Sequence, residues 1–133
     1  MWGLLLAAKL YGAILTADVV SVYDGDTIRA RVHIWLGQEV SVLIRVKGVD
    51  TPEIRGKCPK EKELAQQARD FTREFVGDFV MIIDPENDKY GGRALAYVMN
   101  KDGQSLGQAL IDQGLAREYL GGTRQGWCGE NDE

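Results

Sequence analysis

Acidic side chains cluster in two short segments of this sequence, each at the end of an apolar run. The first is Asp24-Gly-Asp-Thr27, and the second is Val49-Asp-Thr-Pro-Glu53. Carboxylates that gather at strand ends without a packing role are the ligands that a hard cation such as Ca²⁺ prefers. Arg45 lies just before the second segment, and an arginine beside such a cation suits an anionic partner such as phosphate. This combination predicts a metal-assisted phosphodiesterase.

The individual acidic residues suit different roles. Asp26 is predicted to open a second strand and Asp50 to close a third. Because neighbouring antiparallel strands would bring both residues to one end of a sheet, the two carboxylates could bind one calcium ion there. The Thr51 carbonyl and waters would complete the site. Glu53 follows the turn and would orient or deprotonate a water for attack on phosphorus. Either segment alone is more often a simple turn, and a lone glutamate is more often a solvated surface residue. Only their combination favours a site.

A further candidate group lies in Asp88-Lys-Tyr-Gly-Gly-Arg93. Arg45 and Arg93 are candidates for stabilising the negative charge that grows on phosphate oxygens in the transition state, although each alone is more often an exposed strand residue. Tyr90 would hydrogen-bond a terminal phosphate, stack on a base, or simply cover one end of the β-structure. His33, the single histidine, is predicted to be exposed on a strand with no further role, which disfavours nucleases that use histidine as the base.

The elements that must position these residues follow from the hydrophobic period of the chain. The predicted strands cover residues 13–23, 28–34, 40–46, 79–83 and 93–99. The predicted helices cover 60–76, with an apolar stripe of Leu64, Ala68, Phe71 and Phe75, and 105–113, with Ser105 as N-cap and Gly114 as its stop. The order βββ-α-ββ-α predicts a β-barrel with helices of the OB-fold type, a five-stranded Greek-key barrel with two to three helices.

Length and composition indicate one globular domain. The chain has 133 residues, of which 44% are hydrophobic and 27% charged, and no repeat or linker divides it. The predicted domain is 1–133, with 1–12 as an N-terminal arm or signal remnant and 120–133 as an irregular C-terminal tail. The apolar start is too short to span a membrane, so no membrane association is expected. The net charge of −4 argues mildly against a protein that coats nucleic acid, but residues 29–62 carry a basic excess and predict a locally basic face.

The two cysteines, Cys58 and Cys128, leave two interpretations open. With one histidine they are too few for a zinc site, so they are either two unrelated buried thiols or one disulfide. Both lie in polar segments that contain glycine, where a core cysteine is unusual, and this favours the disulfide. A disulfide would indicate a secreted or periplasmic protein and would pin the C-terminal tail beside the carboxylate segment.

Several motifs, in the same order, resemble the staphylococcal nuclease (thermonuclease) family over nearly the whole chain. They are Tyr23-Asp-Gly-Asp-Thr27, Ile44-Arg45 through Val49-Asp-Thr-Pro-Glu53, the helix from Lys60, Asp88-Lys-Tyr-Gly-Gly-Arg93-Ala-Leu-Ala-Tyr97, and Ala109-Leu110 through Gln113-Gly-Leu-Ala116. The resemblance implies an OB barrel with attached helices, in agreement with the hydrophobic period. It also implies a Ca²⁺-dependent nuclease that hydrolyses DNA and RNA and leaves 3′-phosphate ends. We expect the protein to be a monomer.

The resemblance also implies a role for each matching position. The implied metal ligands are Asp26, Asp50 and Thr51, the implied catalytic residues are Glu53 as general base with the phosphate-binding Arg45 and Arg93, and the implied substrate contacts are Lys89 and Tyr90. The pattern Arg-Gly-x-Cys-Pro after Glu53, with Trp-Cys near the end, resembles secreted bacterial members. It supports the pairing of Cys58 with Cys128.

Two other classes of function compete with the nuclease. The barrel could be a catalytically inert module that binds nucleic acid or protein, or a structural domain that calcium stabilises. Binding alone does not require a base beside two metal ligands, and a calcium-stabilised domain does not require Arg45 or Arg93. Replacing the arginines separates these cases, because it should abolish nuclease activity while calcium affinity stays nearly unchanged.

Overall fold

A closed five-stranded barrel is the centre of the fold, in a computed structural model that describes residues 13–89 and 91–129. The strands are β1 (Ile14–Asp24), β2 (Thr27–Trp35), β3 (Gln38–Val46), β4 (Val49–Asp50), β5 (Phe79–Asn87), β6 (Arg93–Met99) and β7 (Arg117–Glu118), and the helices are α1 (Pro59–Val76) and α2 (Leu106–Asp112). The barrel order is β1-β2-β3-β6-β5, in which β3 and β6 run parallel and the other pairs antiparallel. The predicted OB-type barrel with helices is confirmed.

The first three barrel strands form where the alternating pattern predicts them. A two-residue turn joins β1 to β2, with Asp24 opposite Thr27, and Thr27 in turn lies opposite Arg45 on β3. The inward-facing residues of these strands are buried; they include Ile28, Ala30, Val32 and Ile44. The register therefore brings the start of β2 and the end of β3 to one end of the barrel, which is the end that carries the acidic segments.

The outer part of the β2–β3 hairpin differs from the prediction of a half-buried sheet. Ile34 and Val40 continue the alternation, yet they are 49% and 45% exposed. Among the described residues, β3 pairs with β6 only from Leu43 to Val46, and β2 pairs with β1 only as far as Val32. The ends of the two strands beyond these pairs therefore extend past the closed part of the barrel.

Helix α1 begins one residue earlier than predicted and turns a different face to the barrel. Cys58 is its N-cap and Pro59 its first residue, a position that proline favours because its missing N–H needs no partner there. The buried residues of the helix are Glu61, Ala65, Ala68, Thr72 and Val76, whereas Phe71 and Phe75 are only partly buried and stack with ring centroids 5.8 Å apart. Small side chains occupy the centre of this face because the β1–β2 turn approaches the helix too closely for large ones.

The segment after β3 also departs from the predicted pattern. Asp50 was predicted to close the third strand, but β3 ends at Val46 and a turn follows in which Gly48 has φ +80°, a conformation that glycine favours. Asp50 therefore lies in the separate strand β4, opposite Arg117 of β7. This two-stranded sheet brings the end of the chain next to the acidic segment.

The second half of the chain follows the predicted order. Strand β5 continues to Asn87, four residues beyond its predicted end, with an irregular register near Asp84. Helix α2 has Ser105 as its N-cap, whose Oγ accepts from the Gln108 backbone N–H at 3.2 Å, and Gly114 follows the helix with φ +72°. Across the described ranges, no helix is long and apolar enough to cross a membrane.

The last described residues form no helix or strand, yet they are attached to the rest of the fold. A disulfide joins Cys58 to Cys128, with an S–S distance of 2.02 Å. It holds the C-terminal tail, predicted to be irregular, against the start of α1 and beside the acidic loop. The predicted N-terminal arm or signal remnant at 1–12 and the last four residues lie outside the described part of the chain.

Candidate active site

The turn that carries Asp26 is held firmly against helix α1. Thr72 Oγ1, on the buried face of the helix, donates to the Gly25 carbonyl at 2.7 Å. A Cβ atom on Gly25 would lie 2.7 Å from the Cβ of Ala68, so a side chain at this position would push the turn off the helix. The backbone N–H of Val46 donates to the Asp26 carbonyl at 2.9 Å. Asp26, 5% exposed, therefore has a defined position at the barrel end.

The loop after Asp50 is fixed by a residue that the sequence analysis missed. The buried carboxylate of Glu61 accepts from the backbone N–H of Glu53 at 3.1 Å and from that of Lys57 at 3.0 Å. Asp24 accepts from the N–H of Ile54 at 3.2 Å. The sequence could have indicated this role, because Glu61 lies three residues after the N-cap. An acidic residue at that position often accepts backbone N–H groups at the start of a helix. Glu61 thereby positions the loop that presents Glu53.

Arg45 connects the two acidic segments. Its Nη2 atom lies 3.4 Å from Asp26 Oδ2 and 3.8 Å from Asp50 Oδ1, and it also lies 3.5 Å from the Val49 carbonyl oxygen. Its side chain is 22% exposed, while those of Asp26 and Asp50 are 7% and 4% exposed. The structure thus brings together the first arginine and both predicted aspartate ligands. One guanidinium nitrogen thus faces two nearly buried carboxylates.

The protonation equilibria reflect this crowding of acids. Burial raises the pKa of Asp26, an effect that the Arg45 guanidinium and the Thr27 hydroxyl partly offset. Burial also raises the pKa of Asp24 to about 6; the N–H of Ile54 counteracts the rise, and the charges of Asp26 and Glu53 add to it. Ionised carboxylates in such a place are costly unless a cation compensates them.

Asp50 and Thr51 contain buried polar atoms that lack an aligned partner. Within the described residues, neither Asp50 Oδ1 nor Thr51 Oγ1 forms a hydrogen bond of regular geometry. Asp50 Oδ1 is instead compensated by charge alone, since two guanidinium groups lie within 4 Å of it. A buried carboxylate oxygen of this kind is a ligand that a hard cation can bind.

The second of those guanidinium groups belongs to Arg124, which the sequence analysis did not single out. Its Nη2 lies 2.5 Å from Asp50 Oδ1, and its Nη1 donates to Glu53 Oε1. The predicted disulfide was the signal that could have found it, because Arg124 lies only four residues before Cys128. One residue of the C-terminal tail therefore pairs with a proposed metal ligand and with the proposed base at once.

The second predicted arginine has a different partner. Arg93 Nε donates to Asp88 Oδ2 at 2.8 Å, and its Nη2 lies 2.6 Å from the same oxygen. An open cleft of about 930 Å³ nevertheless contains both arginines together with the acids; its walls include Asp24, Asp26, Arg45, Thr51, Glu53, Lys89, Arg93, Tyr119 and Arg124. Lys89 is exposed in this wall, whereas Tyr90 lies outside the described residues.

The protein-family comparison agrees with this geometry. A family model described as staphylococcal nuclease homologue matches residues 43–127, more than half of the chain. The chain belongs to the staphylococcal nuclease homologue family. Membership indicates a nuclease-type hydrolase that acts on nucleic acids. No curated protein matches the chain.

The staphylococcal nuclease homologue match contains most of the cleft. It begins within β3 and includes Arg45, Glu53, Arg93 and the tail residue Arg124, while the Asp24–Thr27 turn precedes it. The turn contributes Asp26 to the same cleft because β2, which follows the turn, pairs with β3 in the barrel.

Another set of potential metal ligands lies outside the cleft of this staphylococcal nuclease homologue. His33 Nε2 lies 3.0 Å from Asp18 Oδ2, and its Nδ1 lies 3.7 Å from Glu39 Oε2. Because the two carboxylates face opposite nitrogens of the ring, and all three side chains are more than 40% exposed, the arrangement is a surface hydrogen-bonded network on the barrel strands. The predicted exposed position of His33 agrees with this.

Proposed function

We propose that this chain is a Ca²⁺-dependent nuclease that hydrolyses phosphodiester bonds of DNA and RNA and leaves 3′-phosphate ends. The observation that carries the proposal is the convergence of Asp26 and Asp50 on one guanidinium nitrogen of Arg45, at 3.4 and 3.8 Å. Asp26, Arg45 and Glu53 line the same cleft. Membership of the family supplies the reaction class, and this cluster supplies acidic and basic groups at one place.

The residues present fit a hard divalent cation. Asp50 Oδ1 is buried without an aligned donor among the described residues, and Asp26 is a buried carboxylate whose pKa is raised by its burial. With the Thr51 carbonyl they would provide oxygen ligands of the kind that calcium binds in flexible geometry. When bound, Ca²⁺ would neutralise and polarise the scissile phosphate.

The remaining roles belong to side chains of the cleft. Glu53, whose side chain is 47% exposed, would accept a proton from the water that attacks phosphorus. The new bond joins that water oxygen to phosphorus while the bond to the 5′ oxygen breaks, and the 5′ oxygen takes a proton from solvent to leave as a hydroxyl. The phosphate therefore remains on the 3′ oxygen. Arg45 and Arg93 would donate to the phosphate oxygens as their charge grows, and Lys89 and Tyr90 would contact the neighbouring nucleotide.

The compartment and the assembly are part of the same proposal. The disulfide between Cys58 and Cys128 supports a secreted or periplasmic protein, because reducing conditions in the cytosol disfavour such bonds. The catalytic unit is proposed to be the monomer.

Cleavage of a labelled single-stranded DNA and of an RNA of matching sequence, in calcium and in chelator, tests the proposal. The wild-type protein should cut both in calcium and leave 3′-phosphate ends. Glu53→Gln should reduce turnover by roughly 10²–10⁴-fold, the usual effect of losing a general base.

Two outcomes would contradict this function. Full activity in chelator would remove the calcium requirement. Absence of cutting by the wild-type protein, together with retained nucleic-acid binding, would indicate instead an inert binding module built on the same barrel.

A further inference from the structure

We propose that Arg124 is an internal cation that competes with the divalent metal for Asp50. Metal binding would then require the Arg124 side chain to leave Asp50, and its departure would also release Glu53. This inference rests on the proposed function, because it concerns the control of the proposed metal site. It assigns a role to a residue outside the predicted catalytic set.

The position of the guanidinium supports direct competition. Arg124 Nη2 lies 2.5 Å from Asp50 Oδ1. Calcium–oxygen distances are about 2.3–2.6 Å, so this nitrogen is as close to Asp50 Oδ1 as a calcium ion bound to that oxygen would be. The two positive groups cannot occupy this position together, and their mutual repulsion would be strong in so buried a place. Binding of one therefore excludes the other.

The second contact of Arg124 couples metal loading to the proposed base. Its Nη1 donates to Glu53 Oε1 while Nη2 faces Asp50. This contact occupies the Glu53 oxygen that would otherwise accept a hydrogen bond from a water. If Arg124 leaves Asp50, the two-point contact is lost and Glu53 becomes available to a water. Metal binding and exposure of the base would then occur in one step.

The tail that carries Arg124 is anchored before that residue. We use the name C-terminal strap for residues 119–129. The backbone N–H of Tyr119 donates to the Gly48 carbonyl at 2.8 Å, and the Tyr119 hydroxyl donates to the Gly122 carbonyl at 2.8 Å. The entry of the strap is thus attached to the turn between β3 and β4.

The strap is also anchored after Arg124. The indole of Trp127 is buried against the Arg117 guanidinium, which lies 3.8 Å from the ring centroid, and the same arginine donates to the Gly126 carbonyl at 2.6 Å. Cys128 then joins the strap to the N-cap of α1. Attachment on both sides keeps Arg124 near the acids at a high effective concentration, so its competition does not depend on a chance surface encounter.

Arg124 differs from Arg45 in what its departure would disturb. Arg45 lies on β3 and pairs with β2 and β6, so it stays in the cluster as long as the barrel is folded. Arg124 lies in a segment without strand pairing and is 39% exposed. It can swing away by side-chain rotation while the strap anchors remain in place.

Calcium titration by calorimetry, without nucleic acid, measures this competition directly. Arg124→Gln should bind Ca²⁺ about tenfold more tightly than the wild type, since a charge-assisted contact to a carboxylate no longer has to be broken. Arg124→Lys keeps the charge but cannot contact both acids at once, so its affinity should lie between the two. Arg55→Gln is the matched control: Arg55 is exposed two residues from Glu53, and within the described residues it forms no ion pair with either acid, so its calcium affinity should stay close to wild type.

Reduction of the disulfide provides an independent measurement of the same competition. Reduced wild type should gain calcium affinity because the strap is released, whereas reduced Arg124→Gln should show no further gain. Circular dichroism of each sample checks that the barrel stays folded.

The possible failures are distinguishable. Equal calcium affinity of wild type and Arg124→Gln, in folded protein, would overturn the competition while leaving the proposed nuclease intact. Failure of every folded variant to bind calcium would overturn the proposed metal site, and this inference with it.

Discussion

Asp24 is a residue whose protonation the fold changes. Burial raises its pKa to about 6 from the ordinary value of 3.8. Between these two values the folded protein holds more protons than the unfolded chain, so the free energy of unfolding falls as the pH rises through this window. Above pH 6 the ionised carboxylate therefore opposes folding, and below pH 4 it does not.

Asp24→Asn should consequently stabilise the protein at neutral pH. The amide oxygen can still accept from the N–H of Ile54, while the unfavourable charge is gone. We expect a gain in the free energy of unfolding on the order of 1 kcal/mol at pH 7.5, after allowance for solvent screening, and none at pH 4. Urea unfolding in chelator at both pH values measures it, with the exposed Asp78→Asn as control. An equal effect at the two pH values would contradict the prediction.

Arg93 and Arg45 should respond differently to substitution, although the sequence analysis expected both to leave calcium affinity unchanged. Arg45 Nη2 contacts Asp26 and Asp50, so its removal should alter calcium affinity, whereas the Nη2 of Arg93 pairs with Asp88. Arg93→Gln should lower the turnover rate by roughly 10²–10³-fold, the usual effect of losing one donor to a transition-state oxygen. Its calcium affinity should remain at the wild-type level.

Nuclease assays and calcium titration on the same Arg93→Gln preparation test this separation. Arg73→Gln, on the exposed face of α1, is the matched control and should change neither quantity. A calcium affinity that falls together with turnover would show that Arg93 acts on the metal site rather than on the substrate.

The contact between the β1–β2 turn and helix α1 fixes the position of two carboxylates of the site. Thr72 donates to the Gly25 carbonyl, and Ala68 packs against the same residue with no space for a side chain between them. Asp24 and Asp26 flank Gly25, so the position of both carboxylates depends on this close approach.

Gly25→Ala should therefore damage stability and activity together. Its Cβ would lie 2.7 Å from Ala68 Cβ, and the turn or the helix must shift to relieve the overlap. We expect a loss of roughly 1–3 kcal/mol in the free energy of unfolding, as for other overpacked sites, together with weaker calcium binding. Gly91→Ala is the control, because no atom lies within 4 Å of the corresponding Cβ. Wild-type stability of Gly25→Ala would show that the turn is not tightly packed.

Helix α1 also controls the opposite side of the cleft. Glu61 in its first turn accepts the N–H groups of Glu53 and Lys57, and Cys58 at its N-cap holds the C-terminal strap. One helix thus positions the turn with Asp26, the loop with Glu53 and the strap with Arg124.

For the molecule as a whole, the disulfide is the longest-range covalent constraint. It closes a loop with a sequence separation of 70 between Cys58 and Cys128. On the loop-entropy model, such a crosslink stabilises the folded chain by roughly 4–5 kcal/mol, because it restricts the unfolded ensemble. Reduction should lower the melting temperature, and Cys128→Ser without reductant should melt at the same lower temperature. An unchanged melting curve with two reactive thiols would contradict the prediction.

The barrel explains how distant segments reach one cleft. Residues of the β1–β2 turn, the end of β3, the loop after β4, the β5–β6 connection and the C-terminal strap all line it. The closed order of strands places the ends of β2 and β3 together, and the parallel pairing of β3 with β6 brings Arg93 to the same end.

Local sequence determined most of the elements. The Asp-Gly turn, the alternating residues of β2 and β3 and the caps of both helices are short-range features, because they depend on residues only a few positions apart. For the same reason the roles of Asp26, Asp50 and Glu53 could be proposed from two short motifs. The order of the motifs along the chain was sufficient to predict the family and the barrel fold.

Tertiary structure alone decided the partners of these residues. The buried face of α1, the separate strand that carries Asp50, the pairing of Arg93 with Asp88 and the position of Arg124 on Asp50 and Glu53 all depend on which segments the closed barrel and the disulfide bring into contact. Such contacts join residues up to 74 positions apart, as between Asp50 and Arg124. Their energies come from burial and charge compensation, which a one-dimensional pattern does not contain.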